Sequence, residues 1–387
     1  MKLNVGVIFG GKSLEHEKGI ITACEVMSNL DQNKYNIVPI YIDKDNNWYT
    51  GYHLKDILNY RDIALVKRYA KKVVLIKQGC NFILQRCNLL KRNVSYVDLV
   101  IPCGLGTYIS DGILQGYLDM IGIPYAGSNT LSCAVSKDKV IIKDLVRANN
   151  IPTTNYIWFY SKEFVNNRKK VLEQIKDLKY PLCCKPAKLG SSIGVSLVNN
   201  EEELIKEIKN IIKYDDKVIV EEKIKNTKEI SISVLGDFLN QETSDIYEEE
   251  YYDEEIDRFT KVKEHLNNEY NKLFKINLVN KKTKPLISKE MKEDIKSYAK
   301  EIFRTINAKG VIQVDFLIDE RNMKLYFSKI NAVPYCMSSQ MWKKSKKSET
   351  ELLDDLIKIA IERYKGKNDY IRNTNNNLLE EYDLKIK

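Results

Sequence analysis

Apolar residues recur along this chain in two rhythms, and their alternation sets out the elements. LNVGVIFGG is a nearly continuous apolar run ending in Gly10-Gly11, as a buried strand does where it turns. SLEHEKGIITACEVMSNL follows with helical spacing and Ser13 in position to cap it. YNIVPIYID reads as a second strand. Strand, turn, helix and strand in this order predict a right-handed βαβ unit and a parallel sheet. VDLVIPCG repeats the strand-to-glycine pattern, and DGILQGYLDMIG is a helix closed by Gly122.

The pattern changes near residue 130. LSCAVSKDKVIIKDLVRANN has the spacing of one amphipathic helix, and YPLCCKPAKLGSSIGVSLV that of a strand, a loop and a strand. EEELIKEIKNIIKY is a helix, and KVIVEEKI and EISISVLGD are strands. Residues 241–264 are acidic and tyrosine-rich without a clear period, which predicts a long loop, either a lid or a disordered segment. KEMKEDIKSYAKEIFRTIN is a helix, and GVIQVDFLID and KLYFSKINAV are strands joined by ERNM. The last stretch is polar and expected to be loosely held. These shifts divide the chain into 1–129, 130–219, 220–365 and a tail, 366–387.

A length of 387 residues suits two or three domains or subdomains, and 43% hydrophobic residues supply an interior for each. The formal net charge of +9 is spread along the chain: lysines and arginines crowd VKRYAKKVVLIKQG and KKSKKS, whereas YEEEYYDEE is acidic. No basic tail, RNA-binding aromatic signature or zinc-finger spacing occurs, so nucleic acid is not an expected partner. The eight cysteines include no C-x-x-C, and there are only three histidines, which argues against structural zinc. The N-terminus reads as a strand rather than a signal peptide, and no apolar run is long enough to span a bilayer. A cytoplasmic location is expected.

Three stretches carry candidate chemistry. In KPAKLGSSIGV, Gly190, Ser191, Ser192 and Gly194 lie between two strands with Lys185 and Lys188 alongside. Small residues let successive N–H groups converge on an anion such as phosphate, but a tight hairpin with solvated lysines fits the same spacing. VIFGGKSLEHE lacks the full G-x-G-x-x-G of dinucleotide sites. There Glu15 or His16 could face a cleft at the strand ends, although Glu15 as a first-turn acid complementing the helix dipole fits these residues better. In the paired strands near 310–331, Gln313 and Asp315 share one face with Lys329 and Asn331 across the ladder. A lysine inside a strand is costly unless paired, and Asp315 is the expected partner.

Taken together, FGGKSLEHE, DGILQGYLDMIGIPYAGS, SKDKVIIK, KPAKLGSSIGVS, EISISVLGD and VDFLI resemble the D-alanine–D-alanine ligases of the ATP-grasp superfamily, over residues 3 to about 345. The resemblance implies an α/β fold, α+β in part. Residues 1–129 would be an N-terminal parallel-sheet substrate domain, and 130–219 and 220–365 two ATP-grasp subdomains sandwiching a nucleotide. It implies ATP and magnesium as cofactors, D-amino acids as substrates, and a homodimer. Glu15 matches the acid that holds the first substrate's ammonium. Lys139 and Lys185 match the phosphate lysines. Gly190, Ser191 and Ser192 match the loop over the phosphates, with Ser191 also on the substrate side. Glu221 and Glu229 match adenine- and ribose-side positions, and Asp315 and Asn331 match metal ligands.

The same resemblance exposes replacements. Cys103 and Ser110 stand where the family has a histidine and a glutamate. Gln313 replaces an arginine, Lys329 replaces the acid that bridges the metals, and Tyr335 replaces a glycine of the oxyanion site. Phosphoryl transfer depends on cations that stabilise developing charge. The sequence therefore favours a catalytically degenerate relative with a binding or regulatory role linked to peptidoglycan, in which normal two-magnesium binding is lost. Two alternatives are an active ATP-dependent D-amino-acid ligase with altered metal use or substrate, and a module that binds a protein partner through its charged surface.

Overall fold

Strand β1 (Leu3–Gly10) is buried from Val5 onward, the pattern of a strand covered on both faces. It pairs in parallel with β2 (Tyr35–Ile42) on one side and with β7 (Leu99–Pro102) on the other. The expected βαβ unit is therefore present, with α1 (His16–Asn29) as its crossover. In this computed structural model, which describes residues 2–250, 281–333, 341–342, 345 and 347–367, the first sheet is nonetheless mixed rather than parallel throughout. Beyond β2 it continues through β3 (Trp48–Thr50), β4 (Lys71–Gln78), β5 (Asn81–Arg86) and β6 (Asn93–Tyr96), all antiparallel to their neighbours. Short connections are the reason. The Gly79-Cys80 turn between β4 and β5 can join only antiparallel strands.

Between β3 and β4 lies α2 (Ile63–Tyr69), and α3 (Ile113–Ile121) ends at Gly122 in the left-handed conformation, as its sequence predicts. The single helix expected over 131–150 is two: α4 (Thr130–Lys137) and α5 (Lys139–Ala148). Asp138 adopts extended geometry between them. Its carboxylate accepts from the N–H groups of Val140 (2.9 Å) and Ile141 (3.2 Å) and so starts the second helix.

A second sheet of four antiparallel strands follows, in the order β10-β9-β11-β8: β8 (Tyr156–Tyr160), β9 (Leu182–Pro186), β10 (Ser196–Val198) and β11 (Lys217–Glu222). Helices α6 (Ser161–Asn166), α7 (Arg168–Ile175) and α8 (Glu201–Ile211) contribute Phe164, Val171, Ile175, Leu204 and Ile208 to its core. The expected division at 219–220 falls inside β11, whose pairing places the whole strand in this sheet.

The third sheet comprises β12 (Thr227–Gly236), β13 (Gln241–Thr243), β14 (Tyr247–Glu250), β15 (Lys281–Thr283), β16 (Gly310–Asp319) and β17 (Lys324–Asn331). The loop expected from residue 241 is thus strand at 241–243 and 247–250, with Ile246 and Tyr247 buried; 251–264 lie outside the described residues. α9 (Lys289–Thr305) covers this sheet with Ile295, Ala299, Ile302 and Phe303.

α10 (Glu349–Lys367) returns to the first sheet. Its Leu352, Leu353, Leu356 and Ile357 share one core with Val5, Val7, Phe9 and Ile101. The Asp354 carboxylate accepts from Lys34 (2.6 Å) and from the Tyr35 hydroxyl (2.8 Å), and the Arg363 guanidinium donates to the Gly127 carbonyl (3.1 Å). The helix runs to Lys367, and residues 368–387 of the expected tail lie outside the described residues. No described helix is long and apolar enough to cross a membrane.

Candidate functional site

The loop between β9 and β10 reaches back to the first sheet. Ser191 and Ser192 both take left-handed backbone (φ 51° and 57°), a conformation that costs a residue with a side chain and persists where the surroundings enforce it. The Ser191 hydroxyl donates to Glu15 Oε1, and Glu15 is itself buried. Lys137 Nζ lies 3.6 Å from the other Glu15 oxygen. A Cβ on Gly190 would fall 2.9 Å from that oxygen, so a larger residue there would push the Glu15 carboxylate aside. Glu15 therefore faces the loop rather than serving only α1. His16 turns inward: its Nδ1 is 2.6 Å from the Gly11 carbonyl and its Nε2 is 3.0 Å from the Tyr41 hydroxyl. Ser192 is exposed, and Lys188 pairs with Asp216 on the loop's outer flank.

Below the loop is a cluster of lysines and one glutamate. Lys139, the first residue of α5, donates to the carbonyls of Pro186 (2.9 Å), Ala187 (3.4 Å) and Leu189, and so holds the strand that leads into the loop. Burial, together with the charges of Lys185 and Lys137, pushes its ammonium down to about 7. One turn along α5, Lys143 pairs with Glu221 Oε2 at 2.8 Å, while Lys185 from β9 pairs with Glu221 Oε1. Thr154 donates to the same carboxylate at 2.7 Å. Burial alone would raise Glu221, but the two lysines outweigh it and hold the carboxyl well below the usual range. Burial would likewise lower Lys185, and Glu221 more than reverses that. Lys143 and Thr154 escaped the sequence reading. The signal was available, since Lys139 and Lys143 are four apart on one helix and share a face.

The far end of the site lies on the third sheet. Asp315 stands opposite Ser231 on β12 and opposite Lys329 on β17, as the alternation predicts. Its Oδ1 accepts from Ser231 Oγ (2.7 Å) and Gln313 Nε2 (2.9 Å), and its Oδ2 lies 3.2 Å from Lys329 Nζ. The same ammonium donates to Glu229 Oε1 at 3.0 Å. Lys329 thus bridges two carboxylates, the expected Asp315 and also Glu229 from β12. Asn331 pairs with Gln313 across the ladder, and its Oδ1 accepts from the Val333 N–H (3.0 Å). Gln313 is buried, and its Oε1 has no partner among the described residues. Cys103 is fully buried, and Ser110 bonds to the backbone of Gly106 within its own turn. Tyr335 lies outside the described residues.

The residues singled out from sequence therefore fall into three groups: Glu15, Gly190 and Ser191; Lys139, Lys185 and Glu221; and Glu229, Asp315 and Lys329.

Two family models match the chain: D-ala D-ala ligase N-terminus over residues 4–128 and D-ala D-ala ligase C-terminus over 145–362. The D-alanine–D-alanine ligase of Thermosipho melanesiensis is 35% identical over 369 residues, 94% of this chain and 95% of that protein. Among solved structures, the D-alanine–D-alanine ligase of Coxiella burnetii superposes with a TM-score of 0.79 at 28% identity, covering 100% of this chain and 99% of that one. The VanG D-Ala:D-Ser ligase of Enterococcus faecalis gives 0.74 at 27%, covering 93% and 100%. A Bacillus anthracis D-alanine–D-alanine ligase complexed with ATP shares the fold at a TM-score of 0.65 and 23% identity, covering 94% and 99%. With the whole length matched in sequence and in fold, the chain belongs to the D-alanine–D-alanine ligase family.

Proposed function

We propose that this protein is a degenerate D-alanine–D-alanine ligase relative, one that keeps a cleft for nucleotide and a D-amino acid or related small molecule but not the ligation reaction. Its role would be binding or regulation linked to peptidoglycan metabolism. The observation that carries this reading is the Lys329 ammonium between Glu229 (3.0 Å) and Asp315 (3.2 Å). Magnesium demands several oxygen ligands. Here the candidate ligands are one carboxylate already bonded to Ser231, Gln313 and Lys329, and one amide engaged by backbone. Among the described residues no group of three or more His, Cys, Asp or Glu converges to hold a metal. Two unit charges 4 Å apart interact by roughly 4 kcal/mol at an effective dielectric of 20, and beside a divalent ion the lysine makes that repulsion. The described residues do not fit a two-magnesium site.

ATP, bound in the Bacillus anthracis relative, is the nucleotide we carry over. Lys139, Lys185 and the loop at Gly190, Ser191 and Ser192 would face its phosphates, and Glu15 would face a substrate ammonium. Homodimerisation belongs to the same proposal and is checked by sedimentation velocity.

A second reading, an active ligase with altered metal use or substrate, draws on the intact Glu15–Ser191 contact. Phosphate release with ATP, magnesium and D-alanine separates the two. No release above the protein-free rate is expected. Turnover approaching the ~10 per second typical of enzymes would overturn the degenerate reading.

A further inference from the structure

The hairpin joining β5 and β6 carries two leucines where a turn normally has polar residues. The Arg86 N–H donates to the Arg92 carbonyl (2.9 Å) and the Lys91 N–H to the Asn88 carbonyl (3.1 Å). Leu89 and Leu90 are therefore the two central residues of a tight turn at the hairpin's tip. Leu89 is fully exposed and Leu90 is 68% exposed. Gly, Asn, Asp, Pro and Ser usually fill such positions. Neither leucine joins the cores of the first sheet, so the fold gives no reason for them. The charge around them is one-sided. From Ile63 to Val97 the chain has eight lysines and arginines and no aspartate or glutamate. Lys67 pairs with Asp43 at 2.6 Å. Arg68, Lys71, Lys72, Arg86, Lys91 and Arg92 are exposed and, among the described residues, have no ion pair. They gather at one end of the sheet. The Cys87 N–H donates to the Lys72 carbonyl (3.1 Å), which puts the start of β4 beside the tip, and Arg68 lies in the last turn of α2 just before it.

We infer that this tip is a membrane contact: Leu89 and Leu90 enter the surface of a bilayer carrying anionic phospholipids, and the lysines and arginines around them lie against its headgroups. Charge complementarity selects the occupant, and the apolar tip selects a bilayer over a soluble anion. An apolar anchor alone binds a membrane marginally, whereas one apolar anchor combined with a basic patch holds. A protein partner fits less well, because a stable interface buries roughly 1,200–2,000 Å² and a two-leucine tip offers little of that. A narrow hairpin tip suits a surface that parts around it. The inference is independent of the nucleotide and ligation readings, and the phosphate-release assay does not bear on it.

The test is co-sedimentation of the full-length protein with vesicles of phosphatidylcholine alone and of phosphatidylcholine mixed with phosphatidylglycerol. The proteins compared are the wild type, the double variant Leu89→Ser with Leu90→Ser, and the double variant Lys91→Glu with Arg92→Glu. All four positions are exposed, and unfolding midpoints establish that each variant is folded before its binding is read. The wild type is expected to sediment with the mixed vesicles and to stay in solution with the neutral ones. A basic residue near an anionic surface contributes about fivefold in affinity, and a leucine taken out of water more than that, so each double variant should bind at least about tenfold more weakly. The inference is overturned if the wild type stays in solution with the mixed vesicles or binds the neutral ones equally well. It is also overturned if the folded leucine variant binds the mixed vesicles as the wild type does, since that is adsorption of a positively charged protein without insertion. Sedimentation velocity without vesicles tests the other occupant. Self-association that the leucine variant abolishes would make a second copy of the chain the cover for this tip and would overturn the inference.

Discussion

Lys139 shows how one residue can tie the site to the scaffold. Its ammonium spans three carbonyls of the segment entering the glycine loop, and its burial beside Lys185 and Lys137 lowers it to about 7. An unfolded lysine keeps its proton to about pH 10.4. Between those values the unfolded chain binds more protons than the folded one, so this group makes stability rise with pH across that window and has no further effect below it. Lys139→Met removes the contribution. In urea unfolding from pH 7 to 9.5, the wild type should gain stability relative to the variant by no more than about 1.4 kcal/mol per pH unit. Parallel curves for the two proteins would show that Lys139 does not titrate in this range. Residues of this kind were legible in part. Lys185 and Lys329 could be picked out because each is a charge in a glycine-rich or apolar setting, whereas Lys139 and Glu221 were reached only through the resemblance to the family. Of the pairings, only that of Asp315 with Lys329 on neighbouring strands was legible. Glu221 on β11 meets Lys143 on α5, and Glu229 on β12 meets Lys329 on β17, across separations that no local pattern encodes.

At the scale of elements, the sequence reading succeeded where burial is strong and failed where it is shared out. β1 is almost wholly buried and reads as an apolar run, and β12 and β16 read as alternating strands; β4 has four apolar residues flanked by lysines and buries only Val73 and Leu75, so it carries little signal. The break at Asp138 was missed for another reason: its flanking residues keep helical spacing on both sides, and only tertiary pairing reveals the stop. Lys217 on β11 donates to Asp138 Oδ2 at 2.9 Å, and both side chains are buried. Asp138 therefore caps α5 and neutralises a lysine at once. Asp138→Ala should cost at least about 3 kcal/mol, since a lost cap is worth ~1 and a stranded buried charge ~3 or more. Asp138→Asn keeps a capping oxygen and should fall between the two in chemical denaturation. Equal losses for both would mean the cap contributes nothing and the ion pair everything.

For the whole molecule, the arrangement of cores predicts which part moves. One core runs from the first sheet through Leu235, Val311 and Trp342 to α10, so the first and third sheets are joined by continuous apolar packing. The four-stranded lobe is different: its core draws only on residues between Ile157 and Val220. A small cluster of Val140, Tyr156, Ala187 and Ile219 connects it to α5. The remaining ties across the base of the lobe are polar: Lys139 on the β9 carbonyls, Lys217 on Asp138, and Lys143 on Glu221. Segments with few apolar contacts to their neighbours open at lower free energy than the global core. The lobe carrying the glycine loop should therefore detach as a unit before either flanking sheet unfolds. Native-state hydrogen exchange is expected to show β9, β11 and the C-terminal turns of α8 opening together, well below the free energy of β1 and β16. Glu221→Gln keeps the side chain's shape but removes the charge that Lys143 and Lys185 share. It should speed exchange in the lobe at least tenfold while leaving β1 unchanged, because a tenfold change needs only ~1.4 kcal/mol, less than a stranded buried lysine costs. A uniform increase across all three sheets would instead mean that the lobe has no separate opening and that the polar ties at its base are part of one cooperative structure.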